Sequence, residues 1–116
     1  MSPSLKRILF WLSCVGVILA AIMPTEYLAV VLVFNWWDKA QHAVAFAWLG
    51  FLGLWAYPGR AFAVLIGLLS YGASIEVIQA ATGWRYSELA DWLADGVGLV
   101  LGWLVIAGMR RAHLLR

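Results

Sequence analysis

Asp38, Lys39, His42, Glu76, Gln79, Arg85, Asp91 and Asp95 are the residues whose types could do chemistry in this 116-residue chain. Their spacing is helical. Asp38 and His42 are four apart, Glu76 and Gln79 three apart, Asp91 and Asp95 four apart, and each pair shares one helix face. A histidine beside carboxylates can act as general acid and base, so His42, Glu76, Asp91 and Asp95 are the catalytic candidates. Lys39 and Arg85 suit phosphate or carboxylate, so all eight residues are candidates for ligand binding. His42, Glu76 and Asp91 could supply three ligands to a divalent ion. They lack any zinc-type spacing, and neither a metal nor a cofactor is assigned. No serine or cysteine motif marks a nucleophile, and Cys14 as the single cysteine excludes an internal disulfide.

Positioning these groups falls to apolar helices. The chain is 65% hydrophobic and 12% charged, against about 25% charged in ordinary globular chains. That composition puts it in lipid as a single domain, 1–116. A net charge of +2 with scattered cations argues against nucleic acid. The expected fold is all-α, a polytopic bundle of four transmembrane helices over about 5–23, 39–57, 61–81 and 89–109. Roughly 20 residues at 1.5 Å each cross the hydrocarbon core. Pro24, Pro58-Gly59-Arg60, Thr82-Gly83-Trp84 and Arg110-Arg111 close the four spans. Tyr27 to Trp37 is apolar but too short to cross. It reads as an interfacial segment between helices one and two, with a re-entrant element as the alternative. Lys6 and Arg7 before an apolar run resemble a secretory signal. No small-x-small site precedes Pro24, so the span is read as retained.

Lys6, Arg7, Arg60, Arg110, Arg111 and Arg116 then share one side of the membrane, with only Lys39 and Arg85 on the other. The positive-inside rule places both termini in the cytoplasm. Every acidic residue falls on the outer side: Glu26, Asp38 and Glu88 in or beside loops, Glu76, Asp91 and Asp95 within spans. An ionised group at the membrane centre costs at least about 2.5–3.5 kcal/mol, so the last three should face the bundle interior and have partners. At about 100° per residue, setting Asp91 at zero puts Asp95 near 40°, Gly98 near −20° and Gly102 near 20°. One stripe of the fourth helix thus carries two carboxylates above a GxxxG spacing that admits a second helix closely. Gly72, Glu76 and Gln79 share a face of the third helix, and Asp38, His42 and Phe46 one of the second. A packing network of ions is the plain alternative to a site, and the number of ionisable groups at one level favours the site. Two pairings are expected: Arg85 with Asp91, and a protonated Asp95 with Glu76 or Gln79.

The same residues, in the same order, resemble the VanZ-like family of bacterial membrane proteins. The matching elements are Asp38-Lys39-x-x-His42 with Phe46, Glu76-x-x-Gln79, Arg85, and Asp91, Asp95, Gly98 and Gly102. They run from residue 38 to 102, over half the chain, and the first span contributes nothing. Asp95 departs from the family pattern, which usually has asparagine there. The resemblance implies a role in the cell envelope or in glycopeptide-antibiotic sensitivity, at the bacterial plasma membrane, and no mechanism.

Three functions follow as expectations. The first is a binding module whose outer-leaflet site takes a membrane lipid, a lipid-linked intermediate or another anionic envelope ligand. The second is an enzyme acting on a lipid-linked substrate by acid/base or metal-assisted chemistry. The third is a small proton-coupled transporter using Glu76. Such pumps carry their key glutamate in the first helix, where this chain has none. A homo-oligomer is compatible with each.

Overall fold

Ser2 and Pro3 open the first helix in the way such residues do elsewhere. The Ser2 hydroxyl accepts the Leu5 backbone N–H at 3.2 Å, and proline at the first helical position has no N–H to leave unpaired. The computed structural model describes residues 1–22, 35–83 and 89–114, with the backbone but not the side chains of 35–38. It contains four helices among the described residues: α1 Pro3–Ile22, α2 Asn35–Ala56, α3 Ala61–Thr82 and α4 Leu89–Arg111. No strand occurs among the described residues. Gly83 closes α3 in the left-handed region at φ 79°, a conformation open to glycine at no steric cost.

α1, α3 and α4 are each long and apolar enough to cross a membrane, and the chain is a membrane protein. The burial pattern agrees, because it inverts that of a soluble bundle. Leu12, Val15, Val77, Leu93, Val97 and Val100 are exposed, while Gln79, Asp91 and Asp95 are buried. Only an apolar surrounding makes that arrangement favourable.

α2 is the exception in composition. Lys39, Gln41 and His42 lower the hydropathy of its first half. It nevertheless touches α1, α3 and α4, most extensively α4. Its second half is apolar on every side and buries Phe46, Leu49, Leu52, Leu54 and Ala56. It also starts earlier than expected: Asn35 to Trp37 form its opening turn instead of ending an interfacial segment. The rest of that expected segment lies outside the described residues.

Contacts along the helices give an up-down-up-down order. Trp48 Nε1 donates to Ser13 Oγ at 3.1 Å, and Trp11 Nε1 to Tyr57 OH at 2.8 Å, so α1 and α2 run antiparallel. Tyr71 OH donates to the Cys14 carbonyl and Gln79 Nε2 to the Ala21 carbonyl at 2.9 Å, setting α3 parallel to α1. Arg110 Nη2 reaches the Leu54 carbonyl at 2.8 Å, at the far end of an α4 that runs parallel to α2. α1 and α4 do not touch among the described residues, so they occupy opposite sides of the α2–α3 pair. The core between the layers is Phe10, Cys14, Phe46, Leu49, Leu68, Ile75 and Leu99 with their neighbours.

This register sorts the charges by end. Lys6 lies over the Trp55 ring and Arg7 over the Tyr57 ring, near Arg60 and Arg110. The acidic groups of α3 and α4 sit at the other end, beside Lys39 and His42.

Candidate functional site

Close backbone approach between α2 and α4 sets the depth of the site. A Cβ on Gly98 would stand 2.9 Å from both the Ala43 carbonyl carbon and the Ala47 nitrogen. One on Gly102 would stand 2.5 Å from the Ala47 oxygen and 3.0 Å from the Phe51 nitrogen. The GxxxG of α4 therefore fits against Ala43-x-x-x-Ala47 of α2, small residues against small residues. One and two turns above this contact, α4 carries Asp95 and Asp91 into the interior, 0% and 1% exposed.

Asp95 uses its two oxygens on two helices. Oδ1 is 2.9 Å from His42 Nδ1 on α2. Oδ2 lies where Gly72 of α3 has no side chain, 2.8 Å from the position of an added Cβ. Asp91 Oδ1 is 3.7 Å from Lys39 Nζ, an ion pair with one buried and one partly exposed end. His42, Glu76 and Asp91 converge from α2, α3 and α4, each offering a ligand atom within 4.8 Å of the others. Gln79, one turn beyond Glu76, ties this level to α1 through the Ala21 carbonyl.

Of the residues singled out by type and spacing, Lys39, His42, Glu76, Asp91 and Asp95 thus come together, with Gln79 adjoining. Asp38 stands in the first turn of α2, and its side chain lies outside the described residues, as do Arg85, Glu26 and Glu88. The expected Arg85–Asp91 pairing therefore falls outside the described residues, and among the described residues Lys39 is a cation beside Asp91. The partner found for Asp95 Oδ1 is His42, a residue the spacing had set on the same level without linking the two. Trp92 escapes the sequence reasoning altogether. Its indole N–H donates to the Leu69 carbonyl at 3.0 Å and fixes the rotation of α4 that turns Asp91 and Asp95 inward. A tryptophan in the first turn of a span reads as an interfacial anchor, and nothing in the sequence marks a backbone carbonyl as its target.

Chemically, the arrangement offers an imidazole oriented by a carboxylate, further carboxylates within reach, and one ammonium toward the bundle end. Gly72→Ala tests how much the site depends on the α3 notch. The added methyl meets Asp95 Oδ2 at 2.8 Å and the Phe46 ring at 3.3 Å. Overpacking of this kind costs about 1–3 kcal/mol, expected as a lower melting temperature in detergent. Gly67→Ala, which meets nothing within 4 Å, is the matched control and should melt as wild type does.

No protein-family model, curated protein or solved structure matches the chain.

Proposed function

We propose that the chain is a VanZ-like integral membrane protein, with α2 as a fourth span, whose interior polar site binds the headgroup of a cell-envelope lipid or lipid-linked intermediate. The carrying observation is convergence. Lys39, His42, Glu76, Gln79, Asp91 and Asp95 come from three helices, and the fold gathers them at one end of an otherwise apolar bundle. Fully buried acids are unfavourable in lipid unless function retains them. The cations at the opposite end support an orientation with both termini in the bacterial cytoplasm and the site in the outer leaflet. The partly exposed Lys39 ammonium is then the group a phosphate or carboxylate meets first.

The test is saturable binding of labelled anionic lipids and lipid-linked envelope precursors to the protein in nanodiscs. Glu76→Ala and Asp91→Ala should each abolish binding while membrane abundance stays near wild type. Glu26→Ala, outside the cluster of spans, should bind normally. Abundance falling in parallel with binding would instead assign the residues to packing.

An acid/base enzyme on the same lipid class is the second reading, favoured by the His42–Asp95 contact at 2.9 Å. A carboxylate on one ring nitrogen orients the other for proton transfer. Turnover of a bound precursor, lost in His42→Gln, separates it from a binding module.

A further inference from the structure

We propose that His42, Glu76 and Asp91 form a binding site for one divalent transition-metal ion of the Zn2+ or Mn2+ class. The inference is separate from lipid recognition and rests on the metal-ligating atoms themselves. Three helices each place one such atom within 4.8 Å of the other two. A tetrahedral site with bonds of about 2.0 Å has ligand separations of roughly 3.3 Å, so side-chain rotation over about an ångström closes the set on an ion. One imidazole and two carboxylates leave positions open for water or substrate, the pattern of a reactive metal centre and not of a closed structural one.

The surroundings point the same way. Metal-bound histidines commonly hold a carboxylate on their second nitrogen, which fixes the ring and its tautomer. Asp95, fully buried and 2.9 Å from His42 Nδ1, stands in that relation, leaving Nε2 as the nitrogen for the ion. Formal charge agrees. Among the described residues, the carboxylates of Glu76, Asp91 and Asp95 stand with the Lys39 ammonium, an acidic setting that suits a divalent ion. Gln79 supplies an independent sign. It is 1% exposed and its Nε2 is satisfied by the Ala21 carbonyl, yet its Oε1 has no hydrogen-bond partner among the described residues. Water is the kind of donor that such a buried acceptor requires. The mixed nitrogen and oxygen donors select against Mg2+ and Ca2+, which favour oxygen alone.

The experiment uses untagged full-length protein, stripped with chelator and titrated with Co2+, then Zn2+, in detergent without added lipid. The wild type should bind one Co2+ per chain, with d–d absorption that Zn2+ abolishes, and Zn2+ should raise the melting temperature. His42→Gln, Glu76→Gln and Asp91→Asn should each lose the absorption and the thermal shift. Asp95→Asn, acting through His42, should weaken binding by about 10–100-fold without removing it. His113→Gln and Cys14→Ser, at the chain end and in α1, should bind as wild type does. A folded wild type that takes up no Co2+ overturns the assignment, as does retention of wild-type affinity in His42→Gln. Helicity measured on each variant separates lost ligation from lost fold. Because lipid is absent, failure here leaves the headgroup reading untouched, and failure of lipid binding leaves the metal site untouched.

Discussion

Gly98→Ala should destabilise the bundle by about 3 kcal/mol or more, at the upper end of what overpacking costs. The reason is what the new methyl group would meet. Its nearest neighbours are backbone atoms of Ala43 and Ala47, which cannot swing aside as a side-chain tip can. α2 and α4 must separate along their whole contact, the most extensive between helices among the described residues. Separation at Gly98 also reaches the site, because the His42–Asp95 and Lys39–Asp91 contacts join the same two helices within two turns. Gly98→Ala should therefore lose metal and lipid binding together with stability. Gly108→Ala, with nothing within 4 Å, should be neutral or slightly stabilising through the better helix propensity of alanine. Thermal unfolding followed by circular dichroism in one detergent compares the two. Equal melting temperatures for Gly98→Ala and wild type would mean that α2 and α4 are not in this close register.

That contact also shows how much of the fold could be read from the sequence. The stripe of Asp91, Asp95, Gly98 and Gly102 follows from the helical period alone, and all four are buried. The other side of the contact does not follow. Ala43 and Ala47 are small, but a chain rich in alanine offers many such pairs, and only packing selects this one. The boundaries of α3 and α4 were legible to within two residues, since Gly83 and Arg110-Arg111 punctuate them. The start of α2 was not. Trp36 and Trp37 suggest headgroup depth, yet neither breaks a helix, and the backbone is already helical from Asn35. Hydropathy also conceals the rank of α2. Its polar first half depresses the average, although this helix packs against all three others and most extensively against α4.

The site was legible as a level and not as a set of bonds. Period and topology put His42, Glu76, Asp91 and Asp95 at one depth, because antiparallel neighbours align one helix's beginning with the next helix's end. Which oxygen meets which nitrogen depends on rotations of a few tens of degrees, and these are set by contacts to backbone carbonyls. Trp92 to Leu69, Tyr71 to Cys14 and Gln79 to Ala21 are all of that kind. Every residue has a carbonyl, so no pattern of side-chain types announces such a target.

Lys39→Met should destabilise the protein more than Asp91→Asn does, by an excess of about 2–3 kcal/mol. The two ends of this ion pair differ in where they can go. Lys39 is 32% exposed near the start of α2, and its long stem lets the ammonium reach headgroup water once Asp91 is neutral. Asp91 is 1% exposed on a rigid helix and has no comparable route to solvent. Removing the lysine takes a cation away from a buried carboxylate, and breaking a buried pair from one side costs about 3–5 kcal/mol. Part of that range is lost here, because the lysine end is partly solvated and the Coulomb attraction is correspondingly screened. The Lys39→Met/Asp91→Asn double variant should therefore regain most of the stability lost in Lys39→Met, giving a coupling of about 1–3 kcal/mol between the two positions. A bound divalent ion would change the order in a specific way. With Zn2+ saturating the site, the carboxylate keeps a cationic neighbour, and the penalty of Lys39→Met should shrink while that of Asp91→Asn grows. Melting temperatures of the four proteins, each with chelator and with Zn2+, give the whole comparison. Equal single penalties that add in the double variant would show that Lys39 and Asp91 are near neighbours without being partners.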